Sequence, residues 1–172
     1  MLPEACKEGI FMHGRFLFMN NRKVNMILGL VATVVAIVSV LVLFATAFGA
    51  SDVASHPSTL GSCFNVMFGN QGFNAVPMLI VAFVLQLVAA FFMLIGAILP
   101  GKLGMFGLGL AGVCLAIAGV FWLMAPNFFK GANTVSADVE AVVNGTGTIL
   151  AAVFSFLGAL LGLYGAYRTF KA

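Results

Sequence analysis

Four uncharged, strongly apolar stretches constrain the fold of this chain more than any other feature of its sequence. They cover residues 26–48, 78–99, 103–124 and 148–167. A helix needs roughly 20 predominantly apolar residues to cross the hydrocarbon core of a bilayer. Only 8% of the 172 residues are charged, whereas soluble domains carry about 25% charged residues. The sequence therefore predicts an integral membrane protein with four membrane-spanning segments.

The predicted fold class is an all-α membrane protein. A transmembrane β-barrel would need strands of about 10 residues in which apolar and polar side chains alternate, and the four stretches show no such alternation. A leader, residues 1–25, precedes a single four-helix transmembrane domain, residues 26–172. The leader is weakly amphipathic, with Phe16, Leu17 and Phe18 close to Arg15. We expect it to be cytoplasmic and to lie along the inner leaflet.

Basic residues near the ends of the spans predict the orientation of the protein. Those on one side are Lys7, Arg15, Arg22, Lys23, Lys102, Arg168 and Lys171. The other side carries Lys130 alone. Because basic residues are enriched in cytoplasmic segments, both termini are expected in the cytoplasm of a cell-membrane protein. The basic residues are then expected to meet lipid headgroups, and no nucleic-acid partner is predicted.

Small residues recur along each span at alternating steps of three and four. This spacing keeps one face of a helix against its neighbours, and in lipid small residues mark contact faces because they allow backbones to approach closely. The predicted helix-packing residues are Gly29, Ala36, Gln86, Gly96, Gly109, Gly112, Gly158, Gly162 and Gly165. Four such faces imply an antiparallel four-transmembrane-helix bundle with up-down-up-down topology. The Gly158-x-x-x-Gly162 motif is typical either of a homodimer contact or of packing within one bundle.

The two helical hairpins share short sequence matches. Leu28-Gly29-Leu30 recurs as Leu108-Gly109-Leu110, and Gly96-Ala97 recurs as Gly165-Ala166. The matches indicate either a tandem helical-hairpin repeat or chance agreement between segments built from few residue types. A repeat of two helices would keep the same orientation in the membrane.

The spans lack the side chains that usually carry chemistry. Every Asp, Glu, Lys, Arg and His lies outside them, although intramembrane ionisable residues mark most ion and proton pathways. His13 and His56 lie on opposite sides of the predicted topology, and no Cys-x-x-Cys, Gly-x-Ser-x-Gly or His-Glu-x-x-His motif occurs. We therefore expect no catalytic residue, no metal site and no cofactor. The protein is predicted not to be an enzyme.

Gln86 is the one carboxamide at membrane depth. We expect it to form an interhelical hydrogen bond to Ser39 or Ser155, an interaction that contributes about 0.6–2 kcal/mol in membranes. Alternatively, it lines a path for a polar ligand or ion.

The outer loops contain the remaining candidate residues. Exposed apolar residues in loops indicate interfacial anchoring, a protein partner, or packing of the loops as a lid. The candidate partner-contact residues are Phe64, Met67, Phe68 and Phe73. Cys63, in the same loop, is expected to be a free thiol on the outer side that a membrane-impermeant maleimide can label.

The second outer loop contains two further patterns. Ser136 is predicted to cap a short helix that runs through Val143. Asn144-Gly145-Thr146 matches an N-glycosylation acceptor, but the same residues equally suit a break before the fourth span.

The expected function is that of a non-enzymatic membrane protein that acts through helix and outer-loop contacts. It would be an accessory or assembly subunit or a homo-oligomer, with the lipid bilayer and a protein partner, or a second copy, as its contacts. The alternative is a small channel or uncoupled transporter in which the Gly/Ala faces and Gln86 line a path between protomers. A pore normally needs a polar lining or a charged ring, and the spans offer few polar groups.

Overall fold

A computed structural model describes the backbone of residues 4–45, 48–52, 57–59, 61–69, 74–133 and 139–171. Side chains are described for residues 23–45, 61–69, 74–133 and 143–171. The helices are α1 (Glu4–Leu41), α2 (Cys63–Phe68), α3 (Pro77–Ile98), α4 (Gly101–Leu123), α5 (Ala125–Ala132) and α6 (Thr146–Lys171). The strands are β1 (Phe48–Asp52), β2 (Pro57–Thr59) and β3 (Val139–Asn144), and a 3₁₀ turn covers Val42–Phe44.

Four helical segments are long and apolar enough to cross a membrane. They are Lys23–Phe44, Pro77–Ile98, Gly101–Leu123 and Thr146–Lys171, and each overlaps a predicted span with ends shifted by a few residues. The structure thus confirms the prediction of a predominantly helical, multi-pass membrane protein. We refer to these segments as spans 1 to 4.

The leader continues directly into span 1. α1 runs from Glu4 to Leu41 without a break, so its 38 residues extend for about 57 Å at 1.5 Å per residue. This length exceeds the hydrocarbon thickness of about 30 Å, so part of α1 extends beyond the core. The predicted contact of the leader with the inner leaflet depends on side chains outside the described residues and stays a prediction.

Proline and glycine set the boundaries of the later spans. Pro77 occupies the first turn of α3, where its missing N–H is not needed by the helix. Pro100 precedes α4, and Gly101 has a φ of 70°, a left-handed conformation that glycine adopts without strain. Pro126 lies in the first turn of α5, which begins directly after Met124. Met124 both ends α4 and precedes α5, so this connection is a single residue.

The spans pack around one interior. α4 packs on α3 and α6, and α1 packs on the same two helices. The interior contains two apolar clusters, one next to α2 and α5 and one further along the spans. The first contains large residues such as Leu43, Met67, Trp122 and Phe129. The other is built largely from alanine, with Met93, Leu108 and Leu115 as its larger members. Large side chains therefore fill the loop end, and small ones allow close packing elsewhere.

A small sheet connects the end of span 1 to the start of span 4. Its strand order is β2–β1–β3, and both pairings are antiparallel. Ala50, in β1, lies opposite Ser58 in β2 and Val142 in β3. Because β1 follows span 1 and β3 precedes span 4, the sheet fastens the two chain segments to each other. The prediction of an all-α fold omitted this sheet.

The predicted short helix up to Val143 is wrong. Val139–Asn144 forms strand β3, whose residues pair with β1 from Phe48 to Asp52, while Ser136 lies outside the described residues. β-branched valines favour strands, and an isolated helix of about two turns is marginal in water. Pairing with β1, which is distant in sequence, supplies backbone hydrogen bonds that local helix signals did not reveal.

Candidate functional site

The predicted packing faces of spans 1, 2 and 4 point into the bundle. Gly29, Ala36, Gln86, Gly96, Gly158, Gly162 and Gly165 are all buried. Their period of three and four places one residue per turn toward the interior. Many of the larger apolar residues between them are exposed, as Leu30 and Leu160 illustrate at 40% and 66% exposure. These exposed residues face the surroundings of the bundle, while most of the small ones face protein.

Backbones approach closely at these glycines. A Cβ added to Gly29 would lie 2.6 Å from the Cβ of Ala97, and one added to Gly96 would lie 2.8 Å from the backbone nitrogen of Leu108. Distances this short leave no room for a side chain. Spans 1, 2 and 3 therefore depend on glycine at their points of contact.

Span 3 packs through more than its predicted face, although Gly112 of that face does pack closely on span 4, where an added Cβ would lie 2.9 Å from Cγ of Leu163. Gly112 is buried, but Gly109 is half-buried, and a Cβ on Gly109 would make an ordinary 3.7 Å contact with the Cβ of Ala166. The interior positions instead include Leu108, Leu115 and Trp122, which are at most 1% exposed. Glycine and alanine occupy so many positions of this helix that small residues alone do not identify its packing face.

The Gly158-x-x-x-Gly162 motif faces the interior of its own bundle. A Cβ on Gly158 would lie 2.6 Å from Cδ1 of Leu115. A Cβ on Gly162 would lie 2.7 Å from Cε of Met93 and 3.0 Å from the carbonyl oxygen of Leu108. These contacts favour packing within one chain over a homodimer contact at this motif.

Gln86 joins three spans. Its Nε2 donates to Oγ of Ser155 at 2.9 Å and lies 3.3 Å from Oγ of Ser39, and all three side chains are 0% exposed. The Ser39 hydroxyl donates in turn to the carbonyl oxygen of Ala36 at 2.7 Å. Both expected serine partners are therefore present. The Gln86 Oε1 atom is buried and accepts no hydrogen bond from the described residues.

We call Ser39, Gln86 and Ser155 the polar node, which separates the two apolar clusters. On each helix, a node residue lies between members of the two clusters: Ser39 between Ala36 and Leu43, and Gln86 between Ala82 and Ala89. Ser155 occupies the same place on span 4. A buried polar group in a membrane requires internal partners. The node therefore fixes how spans 1, 2 and 4 are positioned along the bundle axis relative to one another. Its chemistry is hydrogen bonding, because it contains no ionisable group.

α2 forms a cap over the outer end of spans 1 and 2. The Ser62 hydroxyl accepts a hydrogen bond from the backbone N–H of Asn65, and Gly69 ends the helix in the left-handed conformation. Both signals are typical of helix termini. Backbone hydrogen bonds tie Cys63 to Ala45 and Val76 to Met67. The cap is thus attached to the end of span 1 and to the start of span 2.

A pair of asparagines attaches the end of α5 to the segment just before span 2. The Oδ1 of Asn133 accepts from the backbone N–H of Asn74 at 2.6 Å, and its Nδ2 donates to the carbonyl oxygen of Asn74 at 3.3 Å. The Nδ2 of Asn74 donates to the carbonyl oxygen of Ala132. The segment before span 2 and the helix after span 3 are therefore held together by side-chain amides.

Four phenylalanines gather at the edge of the cap. Phe64 stacks on Phe44 at 5.4 Å between ring centroids, contacts Phe68 at 4.9 Å and meets Phe83 edge-on at 6.1 Å. Phe44 is 64% exposed and Phe68 is 47% exposed. We call these four residues the aromatic cluster. It combines rings from span 1, α2 and span 2 into one surface.

The aromatic cluster changes the set of candidate partner-contact residues. Phe64 and Phe68 belong to it, but Met67 is 0% exposed because it fills the core beneath the cap. Met67 is therefore not a surface contact residue. Phe73 lies outside the described residues. Phe44 and Phe83 were missed because they belong to spans, where phenylalanine is indistinguishable from other lipid-facing residues.

Cys63 lies in the same interior as Met67. It is 1% exposed, and burial raises the pKa of its thiol to about 12, although a backbone hydrogen bond acts in the opposite direction. The thiolate is the form that reacts with maleimide. The expectation that Cys63 is open to labelling is therefore wrong.

Asn144 serves as a structural residue at the start of span 4. Its Nδ2, the atom that would carry a sugar, donates to the carbonyl oxygen of Leu123 at 3.0 Å. Strand β3 ends at Asn144, and α6 begins at Thr146. These observations favour the interpretation of Asn144-Gly145-Thr146 as a break before the span.

No three His, Cys, Asp or Glu residues come together as a metal site among the residues that the structure describes. The side chains of His13 and His56 fall outside that set. No protein-family model matches the chain. A search of curated protein sequences finds no matching relative. The function is therefore inferred from the geometry of the site.

We predict that Gly162→Leu destabilises the protein more than Gly158→Leu. At Gly162 the new side chain meets the backbone of span 3, whereas at Gly158 it meets the movable end of Leu115. Overpacking typically costs about 1–3 kcal/mol. Thermal unfolding in mild detergent measures the effect, and light scattering reports the oligomer size. Leu160→Phe, on the exposed face, is the control and should change neither the melting temperature nor the oligomer size. If Gly158→Leu and Gly162→Leu reduced the oligomer size at an unchanged melting temperature, the internal position of both glycines would be contradicted.

A second prediction concerns the coupling of Gln86 to its two serines. In double-mutant cycles with Gln86→Leu, Ser155→Ala should give a coupling free energy of about 1 kcal/mol. Ser39→Ala should give a smaller one, because its contact is longer and its hydroxyl is also engaged by Ala36. Gln86→Leu alone should lower the free energy of unfolding only modestly. It removes the hydrogen bonds of Nε2, but it also removes the buried Oε1 that lacks a partner. Unfolding in detergent provides the values, and zero coupling to Ser155 would rule out the node.

Proposed function

We propose that this protein is a non-enzymatic membrane subunit that binds another membrane protein, or a second copy of itself, through the outer end of its bundle. The observation that carries this proposal is the aromatic cluster, in which Phe44 and Phe68 stay 64% and 47% exposed on a fixed support. Aromatic residues dominate the binding energy of many protein interfaces. An accessory or assembly role follows from a binding surface without accompanying chemistry.

The rigidity of the support strengthens this proposal. α2 is capped at both ends, and backbone hydrogen bonds connect it to the end of span 1 and the start of span 2. Rings that are already ordered lose little conformational entropy when a partner binds. The cluster is thus better prepared for a specific contact than the scattered exposed side chains of the spans.

The alternative of a channel between protomers is less well supported. Such a path would be lined by Gln86 and by glycines such as Gly96 and Gly162, but all of these are buried against neighbouring helices of the same chain. The Gln86 Nε2 already donates to serine. A path between protomers would need these groups on the outer surface of the bundle.

We also infer an up-down-up-down bundle with the basic ends of the spans in the cytoplasm. The start of span 1 lies beside the end of span 2 at Gly29 and Ala97, and the start of span 3 lies near the end of span 4 at Gly109 and Ala166. Both proximities support antiparallel neighbours. The basic residues support the orientation, and the tandem hairpin repeat stays a prediction.

The proposed contact predicts that a photo-crosslinking amino acid at Phe68 captures one partner in native membranes, in a defined stoichiometry. Phe91 offers a matched control, because it is a 61% exposed phenylalanine on span 2 outside the aromatic cluster. Crosslinking there should yield lipid or diffuse products. Phe68→Ala should reduce copurification of the partner while the melting temperature falls little. Equal products at both positions would contradict a specific surface.

The proposed orientation predicts opposite labelling of two new cysteines in a Cys6→Ser background. Lys130→Cys should react with a membrane-impermeant maleimide in intact cells, and Lys102→Cys only after the membrane is opened; both side chains are exposed. Native Cys63 should stay unlabelled until the protein is unfolded, since it is buried and its pKa is about 12. Labelling of Lys102→Cys alone in intact cells would reverse the orientation, and mass spectrometry distinguishes these outcomes.

A further inference from the structure

Three basic residues lie at the end of the bundle where span 1 begins and span 4 ends. Lys23 and Lys171 are exposed, and Arg168 is half-buried. The residues whose side chains the structure describes include no Asp or Glu, so no carboxylate of that set neutralises them. Basic side chains at a membrane boundary attract anionic lipid headgroups.

Direct contacts join the two helices that carry these basic residues, and we call the place where they meet the junction. The Nδ2 of Asn25 donates to Oγ1 of Thr169 at 3.5 Å, and a Cβ added to Gly165 would lie 3.6 Å from Cδ2 of Leu28. The first turn of span 1 therefore packs along the last turn of span 4. Lys23 lies two positions before Asn25 and Arg168 adjoins Thr169, so both are carried by the helix turns that meet at this junction.

The surroundings of the junction suit a lipid better than a soluble anion. Tyr164 and Tyr167 are each 53% exposed, and the Lys171 Nζ lies 4.8 Å from the centroid of the Tyr167 ring. Tyrosines are enriched where a protein meets the headgroup region of a membrane. Ile27 and Leu160, at 58% and 66% exposure, extend the apolar surface of spans 1 and 4 beyond the charges. The junction thus places positive charge directly above a surface that acyl chains can cover.

We propose that this junction binds the phosphate of an anionic phospholipid, with Lys23, Arg168 and Lys171 pairing with the headgroup and the exposed apolar side chains contacting the acyl chains. Guanidinium and ammonium groups bind phosphate oxygens through charge-assisted hydrogen bonds. Span 1 covers 22 residues between Lys23 and Phe44, about 33 Å at 1.5 Å per residue. The lipid site is therefore separate from the aromatic cluster, and neither proposal depends on the other.

Native mass spectrometry of the purified full chain, incubated with equal amounts of phosphatidylglycerol and phosphatidylcholine in mild detergent, tests the proposal. The wild-type protein should retain phosphatidylglycerol selectively. Arg168→Gln and Lys171→Gln should each lower this retention about fivefold, because a basic residue near an anionic membrane contributes about a factor of five in affinity. Lys130→Gln removes the same charge at a site remote from the junction and should have no effect. Arg168→Lys keeps the charge and should retain selectivity.

Salt provides a test that needs no variant, in case Arg168→Gln does not fold. Raising the salt from about 0.05 M to about 0.5 M should release phosphatidylglycerol from the wild-type protein and leave phosphatidylcholine unchanged, because salt screens exposed charges. Equal retention of the two lipids would overturn the proposal, as would an equal loss in Lys130→Gln. Displacement of phosphatidylglycerol by inorganic phosphate at millimolar concentration would also overturn it, since the junction would then recognise the free anion.

Discussion

The close approach of helix backbones is the interaction on which the rest of this structure depends. Lipid chains are as apolar as leucine, so helices in a bilayer gain little from burying leucine against each other, and contact relies on packing and hydrogen bonding. Gly29, Gly96 and Gly162 allow this contact because any side chain there would meet a neighbouring helix within 3 Å. The same proximity lets the Gln86 Nε2 reach Ser155 at 2.9 Å. The polar node is thus a consequence of small residues on the helices that it joins.

The two ends of the bundle differ in chemistry because different residues complete them. At one end, α2 contributes Met67 to an interior that also contains Trp122, and the aromatic cluster stays exposed at the edge. At the other end, Lys23 and Arg168 lie on the turns where span 1 contacts span 4, without a carboxylate among the described side chains. The first end suits a protein contact and the second suits an anionic lipid. Between them, the interior offers packing and neutral hydrogen bonds.

The accuracy of the sequence-based predictions followed the clarity of each local pattern. Spans and packing faces were predictable where small residues alternated with large ones, as around Ala36 on span 1 and Ser155 on span 4. The pattern was incomplete on span 3, where glycine and alanine occur on several sides and Leu108 and Leu115 also face inward. The short helix predicted near Val143 was wrong, because its backbone partners lie in β1, far away in the sequence.

The sequence by itself determined that this chain resides in a membrane and which positions cross it, because transfer to hydrocarbon depends on the composition of each segment. It also limited the chemistry, since its spans contain no ionisable side chain. Only the tertiary structure decided that Met67 and Cys63 lie in the interior while Phe68 stays exposed. It likewise decided that Lys23 and Arg168 share one junction. These outcomes depend on contacts between segments distant in the chain, and burial is a property of such contacts rather than of residue type.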